Sequence, residues 1–534
     1  MRNDGSDSAV RRQIANMRWV LKNTFKKQDF RPLQREVISS VIEGHDVFLQ
    51  ASTSFGKSLC YQLPAVLKDW GCELLLALIP RSYSRTDWFG LNLYSDCRYL
   101  PTTITNVNTL QSLGVSVATI NSNTTHEERQ RVFEDMLCGH PFTRLLYVTP
   151  ELCLTDNFRR RLLTVHKQGQ LIRIAIDEAH CISEWGHDFR PAYKELGWFR
   201  KNLVNPTVPI TALTATATPR VRSDMINILG LDLDNLRLFN TPSDRPNIHY
   251  EVRYLADFDG DNSSAEDSQL KNLLNWLKGI QTRREARIGS EEMARLPPMS
   301  GIVYVATRAM AEHLASRLCQ SSDETITAVA YHAGVEATKR SQIQSTWKSS
   351  RPVQTADGRK TPVFSIIVAT NAFGMGIDNP DVRFVVHWTP PRSFESFVQE
   401  SGRAGRDGRA AASLVYYGIQ ERNVIETMIY RDTEPHRANG HENRESKLES
   451  FGKVIRYCES ITRCRHGLIK EFFGDFELEE MGSQRPAKEG GSVASSSPCD
   501  FACDFCKEGR AGLAKRREKM ASETQMALLY ADFD

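Results

Sequence analysis

Short runs of β-branched and leucine residues alternate along this chain with longer stretches whose apolar positions recur at helical spacing. Asp46–Gln50, Leu145–Val148, Ile172–Ile176, Gly301–Val305 and Ser365–Ala369 are predicted strands. Strand-like and helix-like segments taking turns in this way are the sign of α/β architecture with parallel sheets. Polar stretches at Asp257–Asp267, Ser349–Pro362 and Asp432–Glu445 are predicted loops, and the Gly- and Ser-rich Glu489–Pro498 a flexible excursion. A lobe boundary is expected near Asp244-Arg245-Pro246-Asn247, between two α/β halves of similar size.

Bulk composition adds limits. With 534 residues, of which 40% are apolar and 25% charged, the chain can hold two to four ordinary domains. Its 68 basic and 65 acidic residues give a net charge of only +3, so any nucleic-acid binding must rest on local basic stripes. The amino terminus lacks the apolar region of a secretory signal, and no run approaches the roughly 18 apolar residues of a membrane span, so no membrane association is expected. Most of the 12 cysteines stand singly in apolar settings, such as Cys60 and Cys181, and are predicted to be buried thiols in a reducing compartment.

Three groups of residues carry candidate chemistry. The strand Asp46–Gln50 runs into Ala51-Ser52-Thr53-Ser54-Phe55-Gly56-Lys57-Ser58 and then a helix-like stretch, Leu59–Ala65. A strand, tight loop and helix start make a cradle of backbone N–H groups for phosphate, with Lys57 reaching the β- and γ-phosphates and Ser58 ligating Mg²⁺. The loop is poor in glycine, so Ser54 and Phe55 are expected to crowd the phosphate approach. Strand Ile172–Ile176 ends in Asp177-Glu178, placing carboxylates on the rim where such sheets bind ligands. Asp177 would hold Mg²⁺ through water, and Glu178 would orient and deprotonate an attacking water. Alone, each motif also fits an ordinary turn or a pair of solvated acids; together they point to nucleotide hydrolysis. Near the end, Cys464 and Cys499-x₃-Cys503-x₂-Cys506 offer thiolates suited to tetrahedral Zn²⁺, with Cys458 close by in a helix-like, apolar setting.

The segment Asp177-Glu178-Ala179-His180-Cys181-Ile182-Ser183-Glu184-Trp185-Gly186-His187-Asp188-Phe189-Arg190-Pro191 resembles the carboxylate motif and aromatic-rich loop of the RecQ helicase family. The resemblance covers nearly all of residues 14 to 508. It implies two RecA-like parallel-sheet lobes followed by a small helical zinc-binding subdomain. The expected divisions are an amino-terminal extension with lobe one (1–240), lobe two (241–417), the zinc subdomain (418–510) and a charged tail (511–534). Phe30-Arg31-Pro32-Leu33-Gln34 resembles the adenine-recognition motif, with Arg31 and Gln34 as base-side residues; Lys27 stands where the family has a stacking aromatic. Thr53, Gly56, Lys57, Ser58 and, in lobe two, Asp378 complete the expected nucleotide contacts. Gln399-Glu400-Ser401-Gly402-Arg403-Ala404-Gly405-Arg406 resembles the family's arginine-finger motif, implying that Gln399, Arg403 and Arg406 act on the γ-phosphate. Trp185, Phe189 and Arg190 are the implied DNA contacts, by base stacking and phosphate pairing. The family's zinc subdomain selects Cys464, Cys499, Cys503 and Cys506 as ligands and leaves Cys458 packed.

The resemblance thus implies an ATP-, Mg²⁺- and Zn²⁺-dependent helicase, moving 3′ to 5′ on single-stranded, forked or duplex DNA in the nucleus, in recombination or repair. Two departures count against full activity. Roughly 20 extra residues follow Pro80, judged against usual connection lengths, and the chain stops soon after Cys506, leaving no room for a strand-separating winged helix. A DNA-binding or strand-annealing protein with an impaired motor is therefore the alternative, and an RNA helicase a third reading.

Overall fold

Strands with no polar face can be stable only when helices cover both sides of the sheet, and parallel order with helical crossovers supplies that cover. The computed structural model describes residues 4–52, 55–67, 74–79, 101–121, 124–183, 190–258, 264–289, 292, 296–348, 362–371, 373, 379–433, 440–475, 499 and 503–531. They divide into two compact units, Met1–Ser243 with Phe472–Ala487, and Asp244–Glu471 with Lys488–Asp534.

The first unit is built on seven strands: β1 (Asp46–Gln50), β2 (Leu74–Leu78), β3 (Val117–Ile120), β4 (Leu145–Val148), β5 (Leu171–Ile176), β6 (Ile210–Thr214) and β7 (Leu236–Asn240). Their order is β3-β4-β2-β5-β6-β1-β7 and every pairing is parallel. Strands β1, β2 and β4 are buried at every position, as continuous apolar runs require. Because β5, β6 and β1 are neighbours, the loops leaving their carboxyl ends share one edge of the sheet. That edge is where doubly wound sheets bind ligands.

The second unit repeats the plan with β8 (Ile248–Tyr254), β9 (Met299–Tyr304), β10 (Ile326–Tyr331), β11 (Phe364–Ala369), β12 (Val382–His387) and β13 (Ala411–Tyr417), in the order β10-β11-β9-β12-β13-β8, again all parallel. Helices Ile419–Asp432, Gly440–Glu459, Arg465–Phe473 and Asp504–Ala531 follow. An open edge strand invites unwanted pairing. At β8 the Val252 N–H donates to Asp504 Oδ2 (3.0 Å) and its carbonyl accepts from Arg516 Nη2 (2.9 Å), so the last helix occupies that edge.

The two parallel-sheet lobes and the helical region after them agree with the expected fold class. Some local expectations change. The predicted Leu59–Ala65 helix is α-helical only over Leu59–Gln62, because Pro64 lacks the N–H to continue it and a 3₁₀ turn, Pro64–Val66, takes over. The polar stretch ending at Asp267 is already helical from Ala265, since the Ser264 side chain accepts from the Asp267 N–H and caps Ala265–Ile288. The loop expected to run to Glu445 gives way to helix at Gly440. The Pro80 segment and Glu489–Pro498 lie outside the described residues. Among those described, no helix is long and apolar enough to cross a membrane.

Candidate active site and metal centre

The nucleotide loop leaves β1 and turns at Gly56, whose φ of +79° suits only a residue without Cβ. A Cβ there would also come within 3.0 Å of Gln34 Nε2. Gln34 is 3% exposed and acts as a strut: its Nε2 donates to the Phe55 carbonyl (2.7 Å), and its Oε1 accepts from the Arg31 N–H (2.8 Å). Both ends of the amide expected to read the base are thus engaged by the chain itself. Lys57, 8% exposed, folds its ammonium onto the Ala51 carbonyl at 2.9 Å. Ser58 follows at the start of Leu59–Gln62. The Phe55 ring is buried in the core that holds Val37, Leu49 and Leu59, and Ser54 lies outside the described residues. Thr53 lies outside the described residues.

Asp177 continues β5, its N–H donating to the Leu78 carbonyl at 3.0 Å. Burial, then the neighbouring Glu178 charge, push its carboxyl up to about 6, while the Lys57 charge and hydrogen bonds pull it down. The Tyr61 hydroxyl reaches Asp177 Oδ2 (3.5 Å) and the Tyr193 hydroxyl its carbonyl (3.2 Å). Glu178 is left-handed at φ +49°, a strained state for a residue with a Cβ, costing about 1–3 kcal/mol where it is held. Its own N–H bonds Asp177 Oδ1 (3.0 Å), and beside its carboxylate lies His180, whose Nδ1 is 3.3 Å from Glu178 Oε2 and hydrogen-bonds Thr214 Oγ1 at 3.0 Å. Thr214 ends β6 and accepts from the Thr216 N–H (3.1 Å), while Thr218 caps the helix Pro219–Leu229. Ser183 Oγ donates to Asp224 of that helix (2.6 Å), so the acid loop and the Thr214–Thr218 segment form one hydrogen-bonded body. Thr214-Ala215-Thr216-Ala217-Thr218 resembles the family motif that links ATP state to lobe movement, whereas Tyr61 and His180 carry no sequence signal beyond their places beside the phosphate loop and the acid pair.

The expected DNA contacts fare differently. Trp185 and Phe189 lie outside the described residues. Arg190 is 7% exposed, its N–H bonds the Cys181 carbonyl (2.9 Å), and it precedes the turn of helix Pro191–Lys194. Its place beside the acid loop is fixed by that backbone bond.

In the second unit, Gln399 is half-buried near the end of helix Phe394–Ser401. Glu400, beside it, meets His387 Nε2 at the end of β12 (2.9 Å, buried), and that imidazole stacks on Tyr304 at 5.5 Å between ring centres. Arg403 is 4% exposed and its charge lies close enough to Tyr304 to favour the phenolate, against a larger effect of burial that raises the phenol well above its ordinary value. Arg406 is half-buried in the following turn. Asp378 lies outside the described residues.

The sulfurs of Cys464, Cys499, Cys503 and Cys506 all lie within 4.8 Å of one another, with Cys464 and Cys503 3.7 Å apart. Zinc–sulfur bonds of about 2.3 Å in a tetrahedron place sulfurs about 3.8 Å apart, so the thiol set fits the ion with a closing of no more than about 1 Å. Backbone N–H groups of Cys503 and Arg465 point at Cys499 Sγ (3.2 Å) and Cys503 Sγ (3.4 Å), the donors expected around thiolates. Cys458 is buried apart from this cluster, 1% exposed.

Family comparisons bear on the same residues. The DEAD/DEAH box helicase model matches residues 31–85 and 97–225, and the helicase conserved C-terminal domain model matches 289–408. A RecQ zinc-binding model matches residues 419–507, which include all four clustered cysteines. The chain belongs to the RecQ family. Its RecQ-family relatives include the rat ATP-dependent DNA helicase Q5, 35% identical over 464 residues, 86% of this chain and 42% of that protein. Rat ATP-dependent DNA helicase Q1 is 32% identical over 488 residues, 91% of this chain and 64% of that one. The chain therefore spans between about two fifths and two thirds of these relatives' lengths. The fold is also that of the Mycobacterium smegmatis helicase Lhr bound to ssDNA and AMP-PNP, with a TM-score of 0.51 at 19% identity over 76% of this chain and 48% of that one. The gap in the RecQ chain's match at 86–96 falls inside the segment after Pro80 that the sequence marks as extra, and is shorter than the expected insertion.

Proposed function

We propose that this RecQ-family chain is an ATP-hydrolysing DNA motor that moves 3′ to 5′ along single-stranded DNA and opens forked or duplex DNA in recombination or repair, in the nucleus. The observation that carries the reading is the convergence of Lys57, Asp177 and Glu178 at the carboxyl ends of β1 and β5, with Thr214 on β6 between them. In the proposed mechanism, Gly56 and the loop N–H groups bind phosphate, and Lys57 exchanges its loop carbonyl for the β- and γ-phosphates. Ser58 and Asp177 are the residues that would hold Mg²⁺, which supplies charge neutralisation at the transferred phosphoryl group. Glu178, fixed by His180, accepts a proton from the attacking water. Arg403 and Arg406 supply guanidinium groups to the transferred phosphate, with Gln399 beside them. Trp185 and Phe189 stack on bases, and Arg190 pairs with a DNA phosphate.

Steady-state ATP hydrolysis by the purified chain, with single-stranded DNA, with RNA and with neither, tests this reading. Stimulation by DNA beyond that by RNA is the expected result; bound DNA without stimulated turnover would instead support an annealing protein whose motor is impaired. Tailed duplexes with the single strand on either side then decide polarity.

The strut at Gln34 adds a second expectation. Gln34→Ala strips a partner from the buried Phe55 carbonyl and the Arg31 N–H, at about 1–3 kcal/mol. The KM for nucleotide is expected to rise about tenfold, and equally for ATP and GTP, because the lost support is to the phosphate loop. A rise confined to ATP, measured in the same hydrolysis assay, would return Gln34 to base reading.

A further inference from the structure

The segment Asp244-Arg245-Pro246-Asn247 enters β8 and reads in sequence as a boundary, yet its side chains are occupied elsewhere in the second unit. Arg245, 7% exposed, spreads its guanidinium over three carbonyls of the arginine loop: Nη1 on Gly402 (3.0 Å), Nη2 on Gly405 (2.6 Å) and on Ala404 (3.4 Å). Asn247 Nδ2 donates to the carbonyls of Gly405 and Arg409, each at 2.8 Å. Gly405 sits at φ +59°, where a Cβ would meet Asn247 Nδ2 at 2.5 Å and the Arg409 carbonyl at 2.8 Å. From the other side, Arg383 Nη2 reaches Asp407 at 2.9 Å. Asp244 points away from this loop, lying 3.4 Å from both Lys470 Nζ and His466 Nδ1 on the helix that follows Cys464.

Gly402, Ala404, Gly405 and Gly408 bring no polar side chain to this loop, and Asp407 braces its far end by accepting from the Arg409 N–H (3.1 Å). Five hydrogen bonds from Arg245 and Asn247 hold the carbonyls of the backbone from which Arg403 and Arg406 project. We propose that Asp244–Asn247 is a strap that sets the Gly402–Arg409 loop and ties it to the helix after Cys464, making Arg245 and Asn247 positioning residues for Arg403 and Arg406. The role in turnover rests on the motor reading above; the clamping of the loop does not. A planar fork is needed here, because a lysine at the same place reaches one carbonyl at a time.

Two measurements separate those parts. Amide hydrogen exchange across residues 402–411 is expected to quicken in Arg245→Lys and Asn247→Ala, while exchange in β9 and β11 stays as in the parent chain. Unchanged exchange in the loop overturns the strap, whether or not the chain hydrolyses ATP. In DNA-stimulated hydrolysis, both variants are expected to lose about 10- to 100-fold in kcat, as misplaced catalytic groups do. Their KM for ATP and their thermal midpoint are expected to stay close to the parent values. Equal losses of kcat and thermal midpoint would show a merely structural role. Parent protein that fails to hydrolyse ATP while the loop still loosens would sink the motor reading and leave the strap standing.

Discussion

Glu178→Gln is expected to lower DNA-stimulated ATP turnover by about 10²- to 10⁴-fold, the range that a positioned general base contributes. The amide matches the carboxylate in shape and can keep its place beside His180, 3.3 Å away, but it cannot take a proton. Nucleotide binding should change little, because in the proposed mechanism the phosphates are held by Gly56, Lys57 and the loop backbone. The decisive comparison is single-turnover hydrolysis against fluorescent-nucleotide affinity in the same preparation. A variant that keeps turnover within about fivefold of the parent would remove Glu178 from the chemistry. The strained backbone at Glu178 sharpens the expectation. A φ of +49° persists in a residue with a Cβ only where the surroundings impose it; here Asp177 holds the Glu178 N–H, and His180, anchored on Thr214, stands against the carboxylate. His180→Ala should therefore lower kcat by about tenfold through the same group, with Glu178 intact but no longer aimed.

What the sequence discloses, and what it hides, follows from the range of the interactions. Parallel strands buried on both faces write themselves as apolar runs, so β1, β4, β5, β9 and β11 are legible to within a residue or two. The phosphate loop and the acid pair are legible because each is one short segment with a fixed place at a strand end. The cysteines are legible through spacing and resemblance. Contacts between distant segments leave no local pattern. Arg245 and Gly405 are 160 residues apart in the chain, and the sequence marks the first only as a lobe boundary. Gln34 looks like a base reader because its motif does; its engagement by Phe55, 21 residues on, is a matter of tertiary placement. Arg190 stands in a polar run and reads as exposed, yet it is buried, because its placement too is set by tertiary packing and not by the local pattern.

Removing zinc is expected to unfold the edge of the second unit, not merely to loosen a surface knuckle. Cys464 and Cys503 each precede one half of a fully buried ion pair, in which Arg465 Nε and Nη2 bond Asp504 Oδ1 (2.7 Å) and Oδ2 (2.9 Å). Asp504 also accepts from the Val252 N–H of the edge strand β8, so the cysteine cluster, the ion pair and the sheet edge share atoms. Without the metal the four cysteines take up protons, and the bonds that join Cys464 to Cys503 through the ion are lost. Separation of Cys464 from Cys503 would then pull Arg465 from Asp504 and leave a charge buried alone, at about 3–5 kcal/mol. Cys503→Ser, or treatment with a strong chelator, should therefore lower the thermal midpoint by about 10 °C or more, at roughly 2–4 °C per kcal/mol for a unit of this size. Zinc content and thermal unfolding measured together are the check. The control is Cys458→Ser, a thiol buried outside the cluster: it should keep the zinc even if packing costs it some stability. If metal-free protein melts with the holoprotein, the shared atoms at Asp504 do not transmit the ion's binding to the sheet, and the ion pair alone holds the edge strand in place.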